Sequence, residues 1–213
     1  LLQDSAIPYV GQIHNIEIGI FKSHLEKLDK RILSLSRKDF NDISLYLPPS
    51  NSYKYSRGRT LLIVGSEKYP GAALLAIKGA LASGVGSITA LSPKSVANLI
   101  WNISPEVVIN DFAKSSEEGN SLFSDSLKSK DLNRYETILI GPGIGVDITD
   151  WEEAVEYLYD FKGTLILDAD ALNRTAKSKI GSQFLLERSF QTWITPHYQE
   201  FKRLFPDIDE NNR

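Results

Sequence analysis

The 213-residue sequence has no cysteine and no methionine, and only three histidines, His14, His24 and His197. Without cysteine there can be no disulfide, no thiolate nucleophile and no cysteine-based zinc site. The histidines share no ligand spacing such as His-x-x-x-His, which argues against a structural metal centre. No apolar run approaches the roughly 20 residues of a membrane-spanning helix. The amino terminus, Leu1-Leu2-Gln3-Asp4, lacks the basic start and apolar stretch of a secretory leader. Net charge is −3, so no global positive field points to nucleic acid or to an anionic membrane. No Gly-Lys-Ser/Thr closes a phosphate loop, no G-x-G-x-x-G follows a first strand, and no G-x-S-x-G elbow presents a serine. What remains is a cytoplasmic protein with an ordinary core, 42% of its residues being hydrophobic and 24% charged. The missing methionine, even at position 1, reads as a processed chain or as a piece of a longer reading frame.

Along the chain the pattern changes once. Residues 1–20 end in the alternating, strand-like Ile16-Glu17-Ile18-Gly19-Ile20, and Ser23 to Lys38 is a charged helical stretch. Leu47-Pro48-Pro49-Ser50 then reads as a linker or boundary. From Arg59 onward, apolar strands alternate with amphipathic helices. Strands are expected at 60–65, 87–91, 106–109, 136–140, 164–167 and 191–194. Helices are expected at 71–83, from Pro93, at 150–159, 171–176, 182–188 and 196–204, with a polar helical stretch at 117–130. Continuous apolar strands separated by helices imply an α/β protein, a mostly parallel sheet with helices on both faces.

Four segments at strand ends could carry chemistry, because open parallel sheets collect ligands at their carboxyl edge. In Val64-Gly65-Ser66 through Gly71-Ala72-Ala73, small residues at a helix start let a ligand approach backbone N–H groups. The plain alternative has the alanines packing the helix on the sheet. In Gly141-Pro142-Gly143-Ile144-Gly145, three alternate glycines favour a binding loop over a simple connection. In Leu167-Asp168-Ala169-Asp170-Ala171-Leu172-Asn173, paired carboxylates could hold a metal or shift each other's pKa, or one could cap the next helix. Asn173 can both donate and accept. In Thr195-Pro196-His197, Thr195 reads as an N-cap and Pro196 as the first helical residue, placing His197 in the first turn. The positive helix end there favours a neutral imidazole.

Together these segments resemble the ADP- or ATP-dependent NAD(P)H-hydrate dehydratases. Members of that family read K-G-x-x-G-R before the first strand, then Y-x-G-A-A-L, G-P-G-L-G, L-D-A-D-A-L-N and T-P-H-P-G-E-F. This chain has Lys54-Tyr55-Ser56-Arg57-Gly58-Arg59, Tyr69-Pro70-Gly71-Ala72-Ala73-Leu74, Gly141–Gly145, Leu167–Asn173 and Thr195–Phe201 in the same order across residues 51–205. It departs at Tyr55, where the family has glycine, and at Tyr198-Gln199, which replace Pro-Gly. Residues 1–20, with Gly11 and Ile16–Ile20, are similar to the end of the epimerase domain that many bacterial members carry in front.

The resemblance implies a ribokinase-like fold, incomplete at its carboxyl terminus, and three parts: residues 1–20 the tail of an epimerase domain, 21–50 a linker, and 51–213 a truncated dehydratase domain. It implies repair of hydrated NADH or NADPH, with ADP (or ATP) and Mg²⁺, in a protein that self-associates and binds neither nucleic acid nor membrane. A nucleotide would phosphorylate the hydroxyl of the damaged ring, and loss of phosphate would restore the dihydronicotinamide. Ala72 or Ala73, Gly143 and His197 would contact the hydrated dinucleotide, with Asp170 and Asn173 as further candidates. The family's G-G-T-G-D loop, which supplies the catalytic aspartate, has no counterpart in these residues, so the expected aspartate lies beyond Arg213 and the piece alone is expected to be inactive. Two other readings stay open: a ribokinase-like kinase of small alcohols, and a dinucleotide-binding fragment without turnover.

Overall fold

The computed structural model describes residues 9–12, 14, 16, 18–25, 27 and 49–208. The chain divides into two units, Leu1–Leu45 with Glu210–Arg213, and Tyr46–Asp209. In the first, the described residues include one helical turn, α1 (Lys22–Leu25), where His24 meets the Phe21 ring edge-on. Ile16, Ile18 and Ile20 are irregular rather than in a strand, and most of the expected helix from Ser23 to Lys38 lies outside the described residues.

The second unit is an α/β sandwich. Strands β1 (Arg59–Ile63), β2 (Ser87–Leu91), β5 (Thr137–Ile140), β6 (Thr164–Leu167) and β7 (Thr192–Ile194) form one sheet in the order β2-β1-β5-β6-β7, and every pairing is parallel. The central strands are apolar at successive positions because both of their faces are covered. Leu61, Ile63, Ile138, Ile140, Leu165 and Leu167 point to one face. There they pack under helices α5 (Trp151–Tyr159), α6 (Asp170–Lys177), α7 (Gln183–Glu187) and α8 (Tyr198–Leu204), through Trp151, Leu158, Leu172, Phe184 and Leu204. On the other face Leu62, Val64, Ile88 and Ala90 pack under α2 (Pro70–Ala82) and α3 (Lys94–Ile103), through Ala73, Ile77, Val96 and Ile100. Pro70 opens α2 where its missing N–H costs nothing.

Among the described residues, coverage of that second face stops part-way. Ala90, Leu62, Leu139, Ile166 and Trp193 fall in one row across the five strands. Leu62 is buried, whereas Trp193 is 56% exposed. A groove of about 630 Å³, lined by Thr60, Ala76, Thr137, Leu139 and Ile166, opens on this uncovered side towards the amino ends of the strands.

Two expected elements differ. Residues 106–109 form a single parallel bridge, Val108 to Thr89, rather than a strand, since Pro105 and Asn110-Asp111 bound the segment tightly. The expected polar helix at 117–130 is instead an antiparallel hairpin, β3 (Lys114–Ser115) with β4 (Ser121–Leu122), and a short helix α4 (Ser124–Lys128). Local turn chemistry outcompetes helix propensity here: the Ser116 N–H donates to Asn120 O, and the Asn120 N–H to Ser116 Oγ.

Candidate active site

The loops that follow β1, β5, β6 and β7 stand side by side along the carboxyl edge of the sheet, with the β3–β4 hairpin leaning on the first two. The β1 loop is tied to the β5 loop by the Gly65 N–H donating to Pro142 O (2.8 Å), and to the hairpin by the Glu67 N–H donating to Gly119 O (3.2 Å) and by Ser115 Oγ on Glu67 Oε1 (2.9 Å). Of the two alanines, Ala73 is fully buried in the second core beneath Gly65, so its side chain supplies packing. Ala72 stays half-exposed and faces Gly143. Of this pair, the structure leaves Ala72 rather than Ala73 open to a ligand.

Gly143 has a φ of +70°, and a Cβ there would lie 2.6 Å from Ala72 Cβ and 3.0 Å from Tyr69 O. Gly141 has a φ of +135°, and its Cβ would lie 1.7 Å from Asp168 O. No side chain fits either place. The glycines therefore have a packing reason that is independent of any ligand, and the result is a flat backbone surface beside Ala72. Asp147, at the end of this loop, caps its own turn, its Oδ1 accepting from the Thr149 N–H (2.9 Å) and Thr149 Oγ1 (2.5 Å). The Thr149 hydroxyl holds the Asp147 carboxyl below its ordinary value against the opposing effect of burial.

Asp168 and Asp170 are not a carboxylate pair. Ala169 between them has φ +48° and ψ −116°, a strained backbone for a residue with a side chain, and the chain leaves the strand there. Asp168 Oδ1 accepts from the Thr195 hydroxyl (2.8 Å), tying β6 to the end of β7. Asp170 Oδ2 accepts from the Gly145 N–H (2.8 Å) in the glycine loop. The Asn173 amide is likewise engaged internally, Nδ2 donating to Ala169 O (3.2 Å) and Oδ1 accepting from Arg203 on α8. Among the described residues no group of three or more histidines and carboxylates could hold a metal ion.

His197 is the N-cap of α8, not a first-turn residue; Thr195 and Pro196 precede the helix. The reason is a capping box. His197 Nδ1 accepts from the Gln199 N–H (3.1 Å), and Glu200 Oε2 accepts from the His197 N–H (3.0 Å). Serving as an acceptor requires Nδ1 to be unprotonated, which leaves Nε2 as the N–H, 3.3 Å from Glu200 Oε1. The ring itself is 61% exposed at the edge.

One residue absent from the sequence reasoning lies at the centre of this architecture. Arg174 is fully buried and donates to the carbonyls of Gly145 (2.7 Å), Ser121 (2.7 Å) and Ile144 (3.0 Å). It also pairs with Asp150 (3.4 Å), whose other oxygen accepts from the N–H groups of Phe123 and Ser124. Burial pulls the Arg174 guanidinium below its ordinary value and pushes the Asp150 carboxyl up.

A parallel sheet with this order and a loop-built carboxyl edge is a ribokinase-like α/β protein. It superposes with a TM-score of 0.60 on a ribokinase-like superfamily protein from Enterococcus faecalis, at 23% identity, covering 78% of this chain and 56% of that one. It also matches the ADP/ATP-dependent NAD(P)H-hydrate dehydratase of Bacillus subtilis, co-crystallized with ATP and Mg²⁺. There the TM-score is 0.60 and the identity 30%, over 76% of this chain and 52% of that one. In sequence it is 35% identical to the bifunctional NAD(P)H-hydrate repair enzyme Nnr of Synechocystis, over 99% of this chain and 39% of that protein. Residues 60–213 match the NAD(P)H-hydrate dehydratase family, and the chain belongs to it. It spans about two-fifths of the repair enzyme and half of the solved dehydratase.

Proposed function

We propose that this chain serves nicotinamide nucleotide repair, supplying the substrate side of an ADP- or ATP-dependent dehydratase that returns hydrated NADH or NADPH to the intact cofactor. The observation that carries the reading is the seating of Gly143 on Tyr69 and Ala72. It brings two of the family's motifs into one flat surface at the carboxyl edge of adjacent strands, with the exposed imidazole of His197 on the same edge. A surface of backbone and one methyl group suits the face of a dihydronicotinamide ring, and the exposed face of the His197 ring, whose nitrogens serve Gln199 and Glu200, can pack against the ligand. Asp170 and Asn173 act in this reading by holding backbone rather than by touching the dinucleotide.

ADP or ATP with Mg²⁺ is the proposed co-substrate, on the strength of the B. subtilis relative. Asp168 and Asp170 are both committed to other partners, and the described residues offer no cluster of three or more carboxylates or histidines for the magnesium. Transfer of a phosphoryl group to the ring hydroxyl, followed by loss of phosphate, would regenerate the dihydronicotinamide. Residues 1–20 are proposed as the end of a preceding epimerase domain, which the Synechocystis match supports by running over nearly the whole chain. A cytoplasmic, self-associating protein completes the proposal; no helix among the described residues is long and apolar enough to cross a membrane.

The test is titration of the purified chain with hydrated NADH, and recovery of dihydronicotinamide absorbance from the hydrate and ADP by the parent reading frame. Binding of the hydrate with recovery supports repair. Net phosphorylation of a small alcohol without recovery would favour a kinase, and hydrate binding without turnover a binding fragment.

A further inference from the structure

Arg174 lies one turn after Asp170 on α6, so the two side chains share a helix face. An i,i+4 Asp–Arg pair on a helix ordinarily faces solvent and pairs with itself. Here both side chains turn inward on the same residue: Asp170 accepts from the Gly145 N–H, and Arg174 Nε donates to the Gly145 carbonyl. Nη2 donates to Ile144 O and Ser121 O, Nη1 reaches Asp150 Oδ1, and the ring faces of Phe123 and Trp151 lie 5.5 and 6.0 Å from the guanidinium carbon. A guanidinium with no solvent exposure is tolerated only with its donors satisfied.

The groups it holds form a closed circuit. Arg174 binds the glycine loop at 144–145 and the hairpin at 121; the Ser121 N–H donates to Ile144 O (2.8 Å); the hairpin binds the β1 loop at Glu67; and that loop binds the glycine loop at Gly65 and at the Ala72–Gly143 contact. We propose that Arg174, acting with Asp170, is a positioning residue that locks the glycine loop and the hairpin into one unit against the β1 loop, and thereby sets the affinity of the Ala72–Gly143 surface for the hydrated dinucleotide. This rests on the function proposed above.

A purely structural arginine is available for contrast. Arg188, also buried, donates to Phe161 O, Gly163 O, Phe190 O and Gln191 O at the opposite edge of the sheet, where no site loop lies. The experiment compares Arg174→Met, Arg174→Lys, Asp170→Asn and Arg188→Met in the full chain. It measures hydrated-NADH affinity of the folded protein, and amide hydrogen exchange residue by residue. In Arg174→Met, exchange should rise together at 143–145 and at 119–121, and hydrate affinity should fall by about tenfold or more, as expected when a binding surface shifts. Arg174→Lys should recover part of both. Arg188→Met should keep hydrate affinity within about twofold, whatever its effect on melting.

Unchanged affinity in every Arg174 and Asp170 variant that folds, with melting lowered as in Arg188→Met, would make Arg174 merely structural and overturn the proposal. Should Arg174→Met fail to fold, Arg174→Lys and Asp170→Asn carry the comparison. If the unmodified chain binds no hydrate, the proposed function fails. The exchange data then still decide the clamp: separate responses of 143–145 and 119–121 overturn it, and a joint response upholds it.

Discussion

Two buried arginines hold the two edges of one sheet, and they do so under different electrostatic conditions. Arg188 staples the amino edge by donating to the carbonyl of Leu158 at the end of α5, to carbonyls of the turns before β6 and β7, and to the Thr192 hydroxyl (2.9 Å), with no carboxylate among these partners. Arg174 staples the carboxyl edge and adds a carboxylate, Asp150, with a side chain only 10% exposed, which itself caps the start of α4. The same side chain thus serves a plain turn in one place and a circuit of loops in the other. The amino edge can loosen without touching the glycine loop. The carboxyl edge cannot.

The largest effect expected from breaking this comparison is on stability. Arg174→Met leaves the largely buried Asp150 without its counter-charge and three carbonyls without their donor, and should cost about 3–5 kcal/mol. Arg188→Met leaves carbonyls short of donors but no ion, and should cost less, about 1–3 kcal/mol. Urea or thermal melts of both variants check the order, and a larger loss at Arg188 would contradict the role given to Asp150.

Glycines sharpen the same contrast. Gly143→Ala forces a Cβ into a positive φ and against Ala72, and should cost about 1–3 kcal/mol. It should also abolish detectable hydrate binding. Gly163→Ala, whose Cβ would meet Glu136 O at 2.5 Å on the amino edge, should destabilise without changing affinity in the folded protein. Equal affinities for the two variants would detach Gly143 from the site.

A smaller effect belongs to His197. Removing the N-cap in His197→Ala should cost about 0.5–2 kcal/mol, while His197→Asn keeps a capping acceptor and should cost little. Both should weaken hydrate binding if the imidazole contacts the ligand. Normal affinity in His197→Asn, with lost stability in His197→Ala, would reduce His197 to a cap.

The smallest effect is one of pH. Asp147 titrates below its ordinary value in the folded chain, so the stability it contributes is complete above about pH 4, the unfolded value. That contribution disappears as pH falls through the lower, folded value. Asp147→Asn should therefore lower stability at neutral pH and flatten the acid limb, the two proteins converging as pH falls, which urea melts between pH 3 and 7 would show.

Much of the architecture could be read from sequence because period and punctuation agreed. The strand Thr137–Ile140 ending in glycines, Thr164–Leu167 ending in aspartates, and a helix opened by Pro70 each declare themselves locally. The failures were non-local or competitive. Residues 117–130 have the polar composition of a helix, but Gly119, Asn120 and the Ser116 hydroxyl close a turn first. Thr195-Pro196 imitates a helix start, yet the reciprocal His197–Glu200 pairing moves the cap two residues along; the signal was Glu200 standing three residues after a side chain able to accept. Arg174 gave no local sign of burial. Its one hint was an arginine beside Ala171, Leu172 and Thr175, on a helix whose apolar face had to meet the sheet.

The most direct measurement is a residue-resolved amide shift map of the isotopically labelled chain during titration with hydrated NADH. Shifts gathered at 65–72, 141–147 and 195–199 are the predicted result, with the amino-edge groove around Thr60 and Thr137 silent. Shifts centred on that groove, about 630 Å³ in volume, would contradict the placement of the site at the carboxyl edge.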